Sequence, residues 1–309
     1  MVRLLLSTLA VGVGSTYELT ARNKYAALLV QQPDQLGPYL ASFSVVFNVG
    51  KLVGPPIGGL LLAATGPTLA LGLDAASYLL PLATLLWCMT PARERERRSQ
   101  AGDASNLGAA WSGCGAPLRH VLLFTGVACL VGFFHPGLAP LLAFELIGPS
   151  PLALGIFTSV VAAGSISGGV LLQRRAAKVC RRPGLLLGGC TLVTGLAQLG
   201  LALHGPQAWG VAMAFLMGAG TACLLSGSNL VVQVHAPQIF RGRMAGLGQI
   251  AFLGGGGFSG LTAAGLIGVL PGGVWSTLAL LGGLGALLGL LELWQRRGMR
   301  LGPASLSEG

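Results

Sequence analysis

Charged side chains are scarce in this sequence. Asp, Glu, Lys and Arg make up 9% of the 309 residues, whereas soluble domains carry about 25%. Aromatic residues are few as well, at 6%, while 53% of the residues are hydrophobic and the mean hydropathy is +0.73. A chain with so few polar side chains cannot coat a soluble globule of this size. The composition therefore predicts an all-α polytopic membrane protein.

Sequence motifs for catalysis and metal binding are also lacking. The six cysteines form no CxxC pair, the four histidines are isolated, and neither HExxH nor a phosphate-binding loop occurs. We therefore expect no enzyme, no catalytic residue, no metal site and no cofactor. The net charge of +10 is spread over short loops rather than clustered on one surface, so we expect no nucleic-acid partner.

Long apolar runs are what the sequence has instead. Eight of them reach or exceed the ~20 residues that a helix needs to cross a bilayer. They cover residues 38–64, 67–90, 120–144, 151–172, 184–203, 207–232, 245–269 and 272–294. A shorter run near residues 4–17 is either a further helix or the apolar part of a signal peptide. The sequence thus predicts about nine transmembrane helices embedded in lipid.

Basic residues alternate between the predicted loops. The basic loops and the tail contain Arg22 and Lys24; Arg93, Arg95, Arg97, Arg98 and Arg119; Arg174, Arg175, Lys178, Arg181 and Arg182; Arg241 and Arg243; and Arg296, Arg297 and Arg300. The intervening loops near residues 65, 147, 205 and 270 carry neither Lys nor Arg. Since Lys and Arg mark cytoplasmic loops, we expect a multi-pass protein of the plasma (inner) membrane with a cytoplasmic C-terminus.

A polar interruption divides the apolar runs. Residues 91–118 mix charges with Ser and Gly, so this segment is predicted to be a cytoplasmic linker. Residues 1–90 then form a partial N-terminal helical half, and residues 119–295 form a C-terminal half of six helices. Residues 296–309 remain as a cytoplasmic tail.

The segment NVGKLVGPPIGG, residues 48–59, combines glycines and prolines within an apolar run. Gly50, Gly54 and Gly58 are spaced by four residues, which places them on one helical face that a neighbouring helix can approach closely. Pro55 and Pro56 lack N–H donors and leave the carbonyls of the residues four positions earlier without helical partners. Neighbouring groups or water must satisfy these carbonyls.

A second face of the same helix is polar. Ser44, Asn48, Lys51 and Pro55 follow helical spacing beside the glycine face. A charge inside a span faces a cavity or a partner, and Asp74 on the next predicted helix lies at a similar depth. Two readings stay open for Lys51: a structural pair with Asp74, or direct contact with a substrate or a proton.

Three stretches of sequence resemble the major facilitator superfamily, most closely its branch of drug and siderophore exporters, which includes enterobactin and macrolide efflux proteins. They are TARNKYAALLV…LASFSVVFNVGKLVGPPIGG, GGVLLQRRAAKVCRR at residues 168–182, and VVQVHAPQIFRGRMAGL at residues 231–247. The resemblance implies a major-facilitator fold that lacks its first three helices and begins at helix four. It also makes Gly50, Gly54, Pro55, Gly58 and Gly59 similar to the antiporter motif of that superfamily.

The resemblance further implies a function. We expect a secondary active transporter that couples proton entry to efflux of an amphipathic small molecule by alternating access. Arg174, Arg175, Arg241 and Arg243 either anchor cytoplasmic loops or close a gate there, or else only carry the positive charge of cytoplasmic loops. A different hypothesis is a truncated, transport-inactive membrane protein, either a gene remnant or a helix-packing partner.

Overall fold

The computed structural model describes residues 14, 33–88, 107–203, 205–237 and 240–301. Within these ranges all regular structure is α-helical, which confirms the predicted fold class. The helices are α1 (Pro33–Ser77), α2 (Leu79–Cys88), α3 (Leu107–Gly113), α4 (Ala116–Gly132), α5 (His135–Leu146), α6 (Pro151–Arg174), α7 (Ala176–Arg181), α8 (Pro183–Ala202), α9 (Gln207–His235), α10 (Arg241–Val269) and α11 (Gly273–Arg296).

Seven stretches of these helices are long and apolar enough to cross a membrane. They are Leu52–Trp87, Ala116–Leu146, Pro151–Arg174, Pro183–Ala202, Gln207–Val232, Gly246–Val269 and Gly273–Arg296. The last six confirm six of the predicted spans. Leu52–Trp87 takes up much of the two predicted spans 38–64 and 67–90. The run at residues 4–17, apart from residue 14, lies outside the described ranges.

The helix α1 is interrupted at Gly66, between those two predicted spans. Gly66 has φ 77° and ψ 170°, a backbone conformation that is essentially open to glycine alone. Pro55 and Pro56 lie within the preceding helical stretch, where no non-helical dihedral angles occur. The break in α1 therefore lies at Gly66 and not at the two prolines.

The chain divides into two compact units, residues 1–50 with 74–97 and residues 51–73 with 98–309. In the first unit, α2 and the end of α1 continue the apolar sequence, and Leu80, Leu86 and Trp87 are exposed. In the second, α8 packs closely on α9 and α11, α6 on α9, and α4 on α10. The predicted boundaries at residues 90, 118 and 295 stay predictions, although α3 shows that the end of the predicted linker is helical.

The second unit has two buried apolar clusters. One contains Leu118, Leu172, Leu187, Val231 and Met244, at helix ends that the sequence assigns to the cytoplasmic side. The other contains Phe134, Leu142, Phe157, Leu201, Met217 and Leu278, toward the opposite ends. Because the helices pack on one another through buried side chains near both of their ends, they cannot slide along one another without exposing these clusters.

Glycines bring α8 and α11 into backbone contact. A Cβ atom placed on Gly188 would lie 2.8 Å from the carbonyl oxygen of Gly289, and one on Gly282 would lie 2.8 Å from the amide nitrogen of Leu199. Such distances leave no room for a side chain. In a membrane, close approach of this kind replaces the hydrophobic effect as a source of helix association, because lipid tails are as apolar as leucine.

Candidate functional site

The glycine- and proline-rich segment of α1 packs on the N-terminal half of α6. A Cβ atom built on Gly59 would lie 3.0 Å from the carbonyl oxygen of Pro151, and one built on Gly155 would lie 2.7 Å from that of Pro55. Gly59 and Gly155 are buried. The residue numbers rise along α1 as they fall along α6, so the two segments run antiparallel. Their backbones approach most closely at Gly59 and Gly155.

A hydrogen bond continues this contact one turn further. The hydroxyl of Ser159 on α6 donates to the carbonyl oxygen of Leu52, at 3.0 Å. Leu52 lies four residues before Pro56, whose ring nitrogen has no hydrogen to offer it. The expectation that a neighbouring group satisfies a carbonyl released by the Pro-Pro pair is confirmed for Leu52. The sequence did not indicate that the donor is Ser159.

We expect Ser159→Ala to destabilise the protein by about 1 kcal/mol, because a carbonyl then stays unsatisfied in an apolar setting. Thermal unfolding in detergent measures the change. Ser167→Ala is the matched control, since Ser167 donates to Ala163 within α6 at 2.9 Å. Pro56→Ala returns an N–H to the helix, so Ser159→Ala should cost less in that background. An equal cost in both backgrounds would contradict this account of the hydrogen bond.

The predicted face of Gly50, Gly54 and Gly58 is a different surface from this contact. No atom of the described residues lies within 4 Å of a Cβ built on any of these three glycines. The face that meets α6 is instead formed by Leu52, Pro55, Pro56 and Gly59. Close packing of Gly50, Gly54 and Gly58 therefore stays a prediction.

The polar face predicted beside it remains a prediction as well. The side chains of Ser44, Asn48 and Lys51 lie outside the described part of the protein, although their backbones are helical. Asp74 is exposed, and its carbonyl oxygen accepts a hydrogen bond from the Ser77 hydroxyl at 2.7 Å. The proposed pairing of Lys51 with Asp74 is not tested by these contacts.

The basic loop between α6 and α8 includes the short helix α7. Arg174 and Arg175 are exposed there, as expected for a solvated loop. Burial raises the pKa of the nearby Cys180 thiol, so this thiol adds no negative charge to the loop at neutral pH. The backbone carbonyl of Arg181 accepts a hydrogen bond from the amide of Leu301 at 3.1 Å, which ties the C-terminal segment to this loop.

Arg241 and Arg243, the other two arginines of the predicted gate, lie in the first turn of α10. Arg243 is half-buried, and its Nη1 atom has no hydrogen-bond partner among the residues that the structure describes. The side chain of Arg241 lies outside the part of the protein that the structure describes. A role of Arg174, Arg175, Arg241 and Arg243 at a cytoplasmic gate accordingly stays a prediction.

A second proline-released carbonyl occurs where the predicted span 120–144 breaks into α4 and α5. Pro136 cannot donate to Gly132, and the side-chain amide of Gln198 on α8 donates to that carbonyl instead, at 2.8 Å. Gln198 is fully buried. Its Oε1 atom has no partner within the described ranges. No sequence pattern marks Gln198 as this donor.

A small cavity with a mostly apolar lining adjoins this amide between α4, α8, α9 and α11. Its volume is about 10 Å³, and its polar lining comes from Thr191, Thr194, Gln198 and Thr221. This volume is at the lower limit for one water molecule. It is far below the few hundred Å³ of a site for a drug-sized ligand. The cavity is thus too small to hold an amphipathic substrate.

Glu292 is a third residue that the sequence analysis passed over. It is the one acidic residue of α11, which is apolar over most of its length, and it contacts His120 on α4. Glu292 lies one turn before Arg296, near the end of a predicted span, where charged residues at the membrane interface are common. The sequence pattern therefore did not identify it as a candidate site residue. No group of three or more His, Cys, Asp or Glu side chains in the described ranges is arranged to hold a metal ion.

Comparison with known proteins adds one finding. The model of a protein family described as transmembrane secretion effector matches residues 1–295. No curated protein matches the chain significantly.

Proposed function

Because the chain belongs to the transmembrane secretion effector family of the major facilitator superfamily, we propose that it is a secondary active exporter driven by protons. It is a multi-pass membrane protein, and family membership makes it a membrane transporter. The finer proposal is that it moves an amphipathic small molecule, similar to a macrolide or a siderophore, out of the cell by alternating access.

The observation that carries the proposal is the contact of residues 52–59 with α6. At Gly59 and Gly155 the backbones of the two segments come into close contact, since neither glycine has a side chain to separate them. Small residues let two helices approach this closely in a membrane. We propose that this close contact is the surface on which α1 and α6 move during rocking between inward-open and outward-open states.

The proposed route lies near the bilayer midplane between the two helical halves, where transporters of this architecture bind their substrates. Lys51 is the proposed charged group on that route, since a charge within a span faces a cavity or a partner. The basic loops are proposed to lie in the cytoplasm together with the C-terminus.

Transport in proteoliposomes tests the proposal. The purified full chain is reconstituted, a pH gradient is imposed, and movement of a labelled macrolide and of labelled enterobactin is followed. We expect gradient-dependent movement of at least one probe. We expect Lys51→Met to reduce it by about tenfold or more, equivalent to roughly 1.4 kcal/mol. Lys51→Arg retains the charge and is the matched control.

Two outcomes would count against these assignments. If the wild-type protein moves neither probe while the imposed gradient persists, the alternative of a transport-inactive membrane protein is favoured. If the wild-type protein transports a probe and Lys51→Met transports it equally well, Lys51 is not the coupling residue.

A further inference from the structure

One buried carboxylate stands out among the helices of the second unit. Glu145 and Glu292 are the two acidic residues in the sequence between residues 107 and 301. Glu145 is exposed at the end of α5, whereas Glu292 is only 5% exposed. The Oε1 atom of Glu292 lies 2.8 Å from Nε2 of His120. This contact joins the second turn of α4 to the last turns of α11.

We infer that the His120–Glu292 pair is a proton-binding site that takes up and releases protons during transport. The inference rests on the proposed proton coupling and adds a site to it, distinct from Lys51. A carboxylate withdrawn from water is stable only when it is paired or protonated. The pair supplies both options, because an imidazole nitrogen can donate a hydrogen bond to the carboxylate or transfer a proton to it.

The two side chains differ in their access to water. The His120 side chain is 22% exposed, whereas the Glu292 side chain is 4% exposed. His120 is therefore the more accessible partner, and in the proposed site a proton reaches Glu292 through it. When the imidazole is neutral and Glu292 is a carboxylate, the Nε2–H of His120 donates to Oε1, and the pair carries one negative charge. A proton that arrives at Nδ1 makes the ring an imidazolium, so that the pair is neutral overall. Transfer of the Nε2 proton to Oε1 then gives a neutral imidazole and a carboxylic acid.

The neighbouring helices bring positive charge but no second carboxylate. The titratable or charged residues on the elements packed against α4 and α11, and on these two helices themselves, are Arg119, Cys129, Cys190, Cys223, His235, Arg241, Arg243 and Arg296. Within the described part of the protein, the ion-pair partner of Glu292 is His120. The proposed proton site therefore consists of these two side chains.

A purely structural pair would join α4 to α11 and never change its protonation during transport. Infrared difference spectroscopy separates the two roles without a substrate. The purified full chain is titrated with acid, and the carbonyl stretch of protonated carboxylic acids is recorded. We expect Glu292→Gln to remove one acid-induced band that Glu145→Gln retains. We expect His120→Gln, which keeps a donor for Glu292, to displace the pH midpoint of that band.

Proteoliposome transport provides the second measurement. Glu292→Gln is expected to lose movement of the labelled macrolide driven by the pH gradient by about tenfold or more, while exchange of labelled for unlabelled macrolide continues without a gradient. Equal loss of both would overturn the inference in favour of a structural pair. The infrared titration can overturn the inference as well. It does so if Glu292→Gln and His120→Gln both show the same acid-induced band as the wild type, with the same pH midpoint.

The two proposals fail in different ways. If neither probe is moved by the wild-type protein, the proposed function fails, yet the infrared band of Glu292 still reports on proton binding. If the wild-type protein transports a probe but the infrared band is unchanged in Glu292→Gln, only the proposed proton site is wrong. Should Glu292→Gln not fold, the midpoint in His120→Gln decides the question.

Discussion

Replacing Gly195 with leucine is expected to lower the free energy of unfolding by about 3 kcal/mol or more. A Cβ atom at this position would lie 2.7 Å from the carbonyl oxygen of Gly282 and 2.8 Å from the carbonyl carbon of Gly285. These obstacles are backbone atoms, which cannot rotate away as a flexible side chain can. The whole helix α11 must move away from α8, and the close contacts along both helices are lost together.

Gly189→Leu is the matched control for this variant. Gly189 lies on the same helix, and no described atom lies within 4 Å of a Cβ built on it. The intrinsic helix propensity therefore changes equally in both variants, while the steric effect occurs in one. Thermal unfolding in detergent, followed by circular dichroism, compares them. Equal unfolding temperatures for the two variants would show that the contact of α8 with α11 is not the source of stability.

Replacing Gly59 with valine is expected to reduce transport by about tenfold or more. Its Cβ would lie 3.0 Å from the carbonyl oxygen of Pro151 and 3.4 Å from the Cα atom of Leu152. The branched side chain adds two methyl groups beyond this point, so the segment has to move away from α6. The predicted loss is functional rather than global, because most buried contacts of the second unit involve other helices.

Gly58→Val distinguishes this explanation from the motif-based one. Gly58 precedes Gly59 in the sequence and belongs to the predicted glycine face, but no described atom lies within 4 Å of its Cβ position. The contact with α6 predicts that Gly58→Val retains transport of the labelled macrolide. If Gly58→Val is inactive and Gly59→Val is active, the functional packing surface is the predicted face. Unfolding temperatures close to wild type confirm that both variants are folded.

The sequence predicts the membrane architecture well because the signal is local. A run of apolar residues is recognisable without its neighbours, and six predicted spans recur as α4 with α5, α6, α8, α9, α10 and α11. The interruption near residue 65 is local as well, since Gly66 supplies the conformation that other residues avoid. Such features need no knowledge of which helix lies beside which.

The partners between helices could not be predicted in the same way. Pro56 and Pro136 show in the sequence that the carbonyls of Leu52 and Gly132 need donors. Nothing local shows that Ser159 and Gln198 provide them. Likewise, Glu292 looks interfacial until the packing of α11 on α4 brings His120 to it. Each of these contacts joins residues far apart in the sequence, so only the tertiary arrangement reveals it.

The hydrogen bond from Ser159 to Leu52 has a consequence for how this protein can change over evolutionary time. The hydroxyl is needed only while Pro56 withholds an amide hydrogen. A lineage that replaces Pro56 releases Ser159 from selection, and a lineage that first loses Ser159 carries a defect that replacement of Pro56 repairs. Homologues should therefore keep or lose the two residues together, so their covariation would record this helix contact in sequence families.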